Sequence, residues 1–437
     1  MTRHDPKILT ASSSDSSGGA ARASMRILQA LRDIGVDNSM LVKEKLSDKD
    51  YVIPIDAYTP HNSLYRAYAW GENKVLNALQ RRRWNRYPDR EQYFMSDLRG
   101  MRLHGALRRT DYDILHLQWI NQRFIPLDSL PTDRPVVWTL HDSWPFCGIC
   151  HFFFECTRYQ EQCGCCPMLH SESPEDLSHR IWKKKRQALQ QLDLHIVAPS
   201  NWMGDCARKS SLLEHRPVTV IPNCVDTHDY RPMHSDKTAP RWHRLRADTN
   251  GKKIVLFGAV NATRDKNKGF PQLLAALRIL KERGNTEDMA LVVFGATKSS
   301  LSTDIPVHYV GYLNDTYETA SLYNLADLVV VPSLNENLSC VIMESLSCAT
   351  PIVAFDIGGN ADMVDHKGNG YLAGKEDIAG LADGILWCLE NNADNRLGNA
   401  GRQKVLQRFA PPVVARQYQQ LYWSICRQKN TAPPAES

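Results

Sequence analysis

Glu336 and Glu344 stand eight positions apart in a stretch whose pattern would put carboxylates where a ligand can reach them. The run Ala326-Asp327-Leu328-Val329-Val330-Val331 reads as a buried strand, and Ile352-Val353-Ala354-Phe355 reads as the next one. Between them a polar loop from Pro332 leads into a helix from Cys340 to Cys348. One glutamate falls in the loop and the other in the helix. A loop at the carboxyl end of a parallel strand is where open α/β sheets place their ligands. A carboxylate there can bind sugar hydroxyls, and one further along can bind a ribose. Asn337, Leu338 and Ser339 lead into the helix start, whose free N–H groups and positive dipole end suit an anion. By spacing alone, either glutamate could equally be a solvated surface charge.

A second concentration of reactive side chains lies nearer the N-terminus. Cys147, Cys150, Cys156, Cys163, Cys165 and Cys166 fall within twenty residues, out of twelve cysteines in all. In a reducing compartment such density argues for metal rather than disulfides. Cys150, Cys156, Cys163 and Cys166 could offer four thiolates to a tetrahedral Zn²⁺, leaving Cys147, Cys165 and His151 as spares. Packed free thiols and an iron–sulfur cluster are the alternatives. Four thiolates would leave no open position, so zinc here would be structural.

The elements that must position these residues alternate. Lys7–Ser12, Val36–Val42, Ile114–Leu117, Val136–Leu140 and His195–Ala198 read as strands, with helices between them such as Arg22–Leu31 and Leu177–Leu192. A second alternation opens at Lys253–Phe257 and continues through a helix from Gly269 to Gly284, a strand at Leu291–Phe294 and a helix from Thr316 to Ala326. The expected fold is α/β with two doubly wound domains. Residues 1–222 would form the first, with the cysteine-rich insertion 147–166, and 223–410 the second, leaving a last amphipathic helix at 411–429. At 437 residues two domains are the default, and 43% apolar and 23% charged residues suit a globular protein. No run approaches the ~18 apolar residues of a membrane span. Residues 1–6 lack the apolar core of a signal peptide, so the expected location is cytoplasmic.

Charge is uneven. Between Leu64 and Thr110 eleven Lys and Arg oppose four acids, giving +7 against +5 for the whole chain. Arg81, Arg82, Arg83 and Arg86 form its centre, and Tyr65, Tyr68, Trp70, Trp84, Tyr87, Tyr93 and Phe94 are interleaved. Such a surface suits anionic lipid headgroups, a diphosphate-linked substrate or nucleic acid. An ordinary solvated helix pair is the plain alternative.

The segment Pro332-Ser333 with Glu336, Glu344-Ser345-Leu346, Thr350-Pro351-Ile352-Val353-Ala354 and Gly358-Gly359-Asn360 resembles the donor-sugar signature of retaining family-4 glycosyltransferases of the GT-B fold. The resemblance implies two Rossmann-like domains facing across a cleft, a nucleotide-sugar donor and retention of anomeric configuration. Residue by residue, Lys268 in Asn267-Lys268-Gly269-Phe270 matches the family's Lys-Gly lysine. Arg264 lies in the same loop, where relatives carry an arginine nearer the strand. His141, ending the strand Val136–Leu140, matches the active-site histidine. His116 ends the previous strand, and Gln118 stands where relatives with a similar first domain carry a second histidine. Gly18 and Gly19 resemble the Gly-Gly loop under the donor phosphates, and Ser200 and Asn201 resemble a turn near the donor. Pro222-Asn223-Cys224-Val225-Asp226 is similar to the family's interdomain connector, with cysteine for the usual glycine.

The cysteine spacing resembles an insertion of bacterial exopolysaccharide and colanic-acid-type glycosyltransferases. The +7 segment from Leu64 to Thr110 with its interleaved Tyr and Trp gives the expected partners, as in exopolysaccharide assembly: a lipid-linked oligosaccharide acceptor and an anionic membrane surface on the inner face of the plasma membrane, without nucleic acid. Asp111-Tyr112-Asp113 precedes a strand instead of following one, so paired carboxylates for a catalytic Mg²⁺ are not expected. No cofactor is expected for catalysis, and the zinc would be structural. Two rivals remain. A GT-B sugar-nucleotide epimerase is disfavoured by the glutamate pair. A nucleic-acid-binding protein using the basic segment and a zinc knuckle would have no use for a donor signature.

Overall fold

The computed structural model describes residues 5–58, 63–91, 104–259, 261–299 and 305–431. Arg99, Arg102, Asp97, Tyr93 and Phe94 of the basic segment lie outside the described residues. The chain divides into two units, 1–221 with 415–437, and 222–414.

The first unit runs β1 (Ile8–Ser14), α1 (Gly18–Asp33), β2 (Asn38–Glu44), β3 (Val52–Pro54), α2 (Ser63–Trp84), α3 (His104–Arg109), β4 (Ile114–Leu117), β5 (Val136–Thr139), α4 (Leu177–Gln190), β6 (Leu194–Ala198), α5 (Asn201–Lys209) and β7 (Val218–Val220). The second runs α6 (Pro240–Asp248), β8 (Lys253–Gly258), α7 (Phe270–Glu282), β9 (Met289–Phe294), β10 (Val307–Gly311), α8 (Thr316–Leu325), β11 (Leu328–Val331), α9 (Cys340–Ser347), β12 (Ile352–Phe355), α10 (Asn360–Met363), β13 (Gly370–Ala373), α11 (Ile378–Glu390) and α12 (Arg396–Arg408). Finally α13 (Pro411–Thr431) starts in the second unit and ends in the first.

Both sheets are parallel throughout and share one plan. Strand order is β3-β2-β1-β4-β5-β6-β7 in the first and β10-β9-β8-β11-β12-β13 in the second. In each, the order reverses once, between β1 and β4 and between β8 and β11. Helices cover both faces, so both must be apolar. In the second sheet Ile254, Leu256, Val292, Val329 and Ile352 face one core while Val255, Phe257, Leu291, Val330 and Val353 face another. The period-2 alternation of side chains puts successive residues of one apolar run into two different cores. These are two doubly wound Rossmann-like domains.

Two differences from the sequence expectation bear on the sites. Gly18 and Gly19 open α1 instead of closing a loop, because the helix starts four residues ahead of Arg22. The bend is made by Gly18 at φ +89°, with open space where a side chain would be. Four strands were not foreseen, β3, β7, β10 and β13, and each is a sheet edge.

Candidate functional site

The reversal between β8 and β11 leaves a crevice at the carboxyl ends of the two strands, the place where doubly wound sheets bind ligands. Lys268 reaches it from the loop after β8, and Glu336 from the loop after β11. Lys268 Nζ lies 2.7 Å from Glu336 Oε1, and the two side chains are 25% and 15% exposed. Burial disfavours the ammonium, but the Glu336 carboxylate more than offsets it and holds the lysine pKa above its ordinary value. Ser333 Oγ donates to the same carboxylate oxygen at 3.1 Å.

The two loops are also joined through their backbones. Asn267 Nδ2 donates to Asn335 O and Leu334 N to Asn267 O, each at 2.9 Å. Gly269 has φ +75° and packs its Cα so closely on Pro332 that a Cβ would overlap the carbonyl. Gly358, at φ +52°, does the same to the Glu336 carbonyl. Glutamate and lysine are therefore placed by a rigid pair of loops.

Glu344 lies inside α9, only 5% exposed, and accepts a hydrogen bond from the buried Tyr323 hydroxyl at 3.2 Å. Leu338 and Ser339 are buried ahead of that helix, and Asn337 is half-buried. Arg264 is exposed in the turn before Lys268, with no side-chain hydrogen bond among the described residues.

In the first unit the equivalent reversal gathers a second polar group. His141 follows β5, Gln118 follows β4 and Ser24 comes from α1. His141 Nε2 donates to Gln118 Oε1 at 2.6 Å, with Ser24 Oγ 3.3 Å away. Gln118 Nε2 is 3.0 Å from His116 Nε2. His116 also meets Thr139 Oγ1 at 2.8 Å and the Tyr422 hydroxyl, on α13, at 2.7 Å through Nδ1. Burial holds His116 down to about 3 and His141 down to about 4, so both rings are neutral. Ser24 and Tyr422 carry no motif that could announce them. Only the fold brings Ser24 to His141 and Tyr422 to His116.

Gly18 and Gly19 are exposed at the start of α1. Ser200 is fully buried and its Oγ caps α5, accepting from Met203 N at 3.1 Å, while Asn201 is exposed beside it.

Beyond His141 the chain enters the cysteine-rich insertion. Asp142 fixes the junction, accepting from Trp119 Nε1 at 2.8 Å, His151 Nδ1 at 2.6 Å and Trp144 N at 3.0 Å. Cys147, Cys150, Cys156, Cys163 and Cys166 line one cavity. Cys165 turns out of it, at φ +43°, with its thiol on Glu172 O at 3.1 Å. Among the described residues no three of these sulfurs lie within 4.8 Å of one another; Asp226, His228 and Asp229 do, on an exposed turn.

Two parallel doubly wound sheets, each gathering polar side chains where its strand order reverses, define a protein of the GT-B class. The Glycosyltransferase Family 4 model matches residues 17–229 and the Glycosyl transferases group 1 model matches 244–404. The chain belongs to these glycosyltransferases.

Among curated relatives, the Escherichia coli protein described as the colanic acid biosynthesis glycosyl transferase WcaC is 24% identical over 280 residues, 62% of this chain and 65% of that protein. The alpha-maltose-1-phosphate synthase of Mycobacterium tuberculosis is 26% identical over 248 residues, 53% of this chain and 63% of that protein. The chain thus spans just under two thirds of the length of these relatives. Among solved structures, Anabaena HepE in complex with UDP and glucose has a TM-score of 0.61 at 18% identity, covering 96% of this chain and 100% of that one. Sucrose-phosphate synthase from Thermosynechococcus elongatus has a TM-score of 0.62 at 18% identity, covering 97% and 100%.

Proposed function

We propose that this protein is a retaining hexosyltransferase. It moves a sugar from a nucleotide-sugar donor to a hydroxyl of a growing, lipid-linked oligosaccharide in exopolysaccharide or cell-surface polysaccharide synthesis. The observation that carries this is the Lys268–Glu336 pair, held by two interlocked loops at the strand reversal of the second unit. Breaking the bond between C1 and the phosphate oxygen puts negative charge on the diphosphate, and a fixed ammonium is suited to meet it. Glu336 keeps Lys268 in place and offers its remaining lone pairs to sugar hydroxyls. Glu344 takes the nucleotide ribose. The α9 N-terminus, after Asn337, Leu338 and Ser339, faces the phosphates together with Arg264, and Gly18, Gly19, Ser200 and Asn201 of the first unit are assigned to donor binding by their motifs alone.

His141, neutral and oriented by Gln118, hydrogen-bonds the transferred sugar. Displacement runs on one face of C1, the leaving phosphate oxygen taking the proton from the acceptor hydroxyl. HepE carries UDP and glucose, which makes a UDP-hexose the first donor to try.

The acceptor assignment rests on α2. Arg81, Arg82 and Arg83 are exposed at its end and Arg86 just beyond it, and Trp70 is 67% exposed with Lys74 Nζ 4.9 Å from its ring centre. Each such charge near an anionic surface contributes about 1 kcal/mol, so a few suffice for reversible attachment to the inner face of the plasma membrane. Among the described residues no helix is long and apolar enough to cross a membrane. The WcaC relative is described in colanic acid synthesis, which also favours an acceptor of this kind.

Thermal shift with UDP-, GDP-, ADP- and TDP-sugars tests the donor, since a specific ligand stabilises the folded state. One nucleotide series should raise the melting temperature. The anomeric configuration of the product tests retention. No shift with any series, or an inverted product, would remove the assignment.

A further inference from the structure

We propose that the cysteine-rich insertion is a structural zinc site whose ligands are Cys150, Cys156, Cys163 and Cys166. The proposal is independent of the donor assignment. Between β5 and α4 the chain forms no α-helix or strand, only short turns at Arg158–Gln160 and Pro167–Leu169. A stretch this long without regular structure needs something to hold it. Its thiols converge from separate turns on one cavity.

The fold sorts the candidate ligands. Cys165 is excluded because its sulfur is turned onto Glu172 O. His151 is set aside because it does not line the cavity: its ring lies beside Trp119, with Nδ1 on Asp142. Cys147 lines the cavity as a fifth thiol, its carbonyl held by the Lys185 ammonium, and is left as the spare. The remaining four are the proposed set.

Two features of the surrounding shell are those a thiolate site needs. Gly148 N donates to Cys163 Sγ at 3.1 Å, a bond that stabilises a sulfur carrying negative charge. It can do so because Gly148 has no side chain: a Cβ there would overlap Ser178 O. The second is Lys185, which is fully buried. Its Nζ donates to Trp144 O and, at 2.9 Å, to Cys147 O, and lies 3.5 Å from the Trp144 ring centre. Carbonyl oxygens and an aromatic face are partners for an ammonium, yet among the described residues no carboxylate stands within ion-pair distance. A buried charge without a counter-charge is costly. Zn²⁺ binding to four thiols releases four protons and leaves a centre of net charge −2, and Lys185 offsets part of it. The sulfurs stand on the cavity wall and must draw inward to reach zinc.

With no open position the metal would not take part in transfer. It would brace the insertion that starts at Asp142 and so steady His141.

The test uses the full chain, grown with added zinc and purified without chelator. Elemental analysis should find about one zinc per chain. Cobalt substituted for zinc should give the intense visible bands of tetrahedral thiolate coordination. Cys150→Ser and Cys163→Ser should each lower zinc at least tenfold, whereas Cys165→Ser should leave it unchanged. Should the first two variants fail to fold, the cobalt spectrum of the unaltered protein still decides. Absence of zinc with all thiols open to alkylation, iron in place of zinc, a disulfide among these cysteines, or equal loss in Cys165→Ser would each overturn the proposal.

Discussion

Lys268 and Glu336, 68 residues apart in sequence, form an ion pair at 2.7 Å between the loops that follow two adjacent strands. Water has little access to either side chain. Removing one partner therefore leaves the other as a poorly solvated charge. Lys268→Ala should lower kcat by about 10²- to 10³-fold, with a smaller change in donor affinity, if the ammonium meets charge that grows as the bond breaks. Glu336→Gln should keep the fold and also depress transfer. Steady-state kinetics on both variants check this, and wild-type kcat in either would remove that residue from the site.

Gly269→Ala should cost more than its backbone angle alone. Its φ is +75°, the same as at Gly251, where nothing lies within 4 Å of an added Cβ. Gly251→Ala measures the strain of that angle, about 1 kcal/mol or slightly more. Gly269→Ala adds an overlap with Pro332 O, so it should destabilise further and also weaken donor binding. Urea unfolding of the two variants side by side separates the terms. Equal losses would mean that the loops can part freely.

Acid should destabilise the first unit from a higher pH than carboxylates alone would dictate. His116 and His141 are held neutral, at about 3 and about 4, against 6.5 for a free histidine. Above 6.5 neither state binds the proton and these rings add no pH dependence. As pH falls below 6.5 the unfolded chain takes up protons that the folded chain refuses. Stability therefore drops by about 1.4 kcal/mol per pH unit for each ring, until the folded pKa is reached. Unfolding midpoints between pH 7 and pH 4.5 should show this, and His141→Gln should flatten the slope by about half. A slope unchanged in that variant would place the effect elsewhere.

Exchanging Arg81, Arg82, Arg83 and Arg86 together for Ser should abolish low-salt sedimentation with anionic vesicles and leave the melting temperature nearly unchanged, since all four side chains are exposed. Equal sedimentation of the altered and unaltered proteins would make α2 an ordinary solvated face and point to a soluble acceptor.

What could be read from the sequence follows burial. The central strands β1, β4, β5, β8, β11 and β12 are short apolar runs covered on both faces, and those runs stand out in the chain. The four missed strands are edges. β10 is half-exposed along its whole length and β7 along most of its own, so no apolar run marks them. The same holds for side chains. Lys268, Glu336 and His141 sit in local patterns that can be recognised without a structure. The contacts of Lys268 with Glu336, of Gln118 with His141 and of Tyr422 with His116 depend on loops and helices distant in sequence. Nor could spacing reveal that Lys185, in the charged run Lys183-Lys184-Lys185-Arg186, is the one wholly buried member.

The path of α13 has a consequence for how the protein is made. Tyr418 and Tyr422 are fully buried in the first unit, against Thr139 and His116, yet they are translated after all of the second unit. A nascent chain emerging from the ribosome can close its second core before its first is complete. Until the last helix arrives, the strands bearing His116 and Thr139 remain uncovered on that face, a waiting period in which a chaperone could bind.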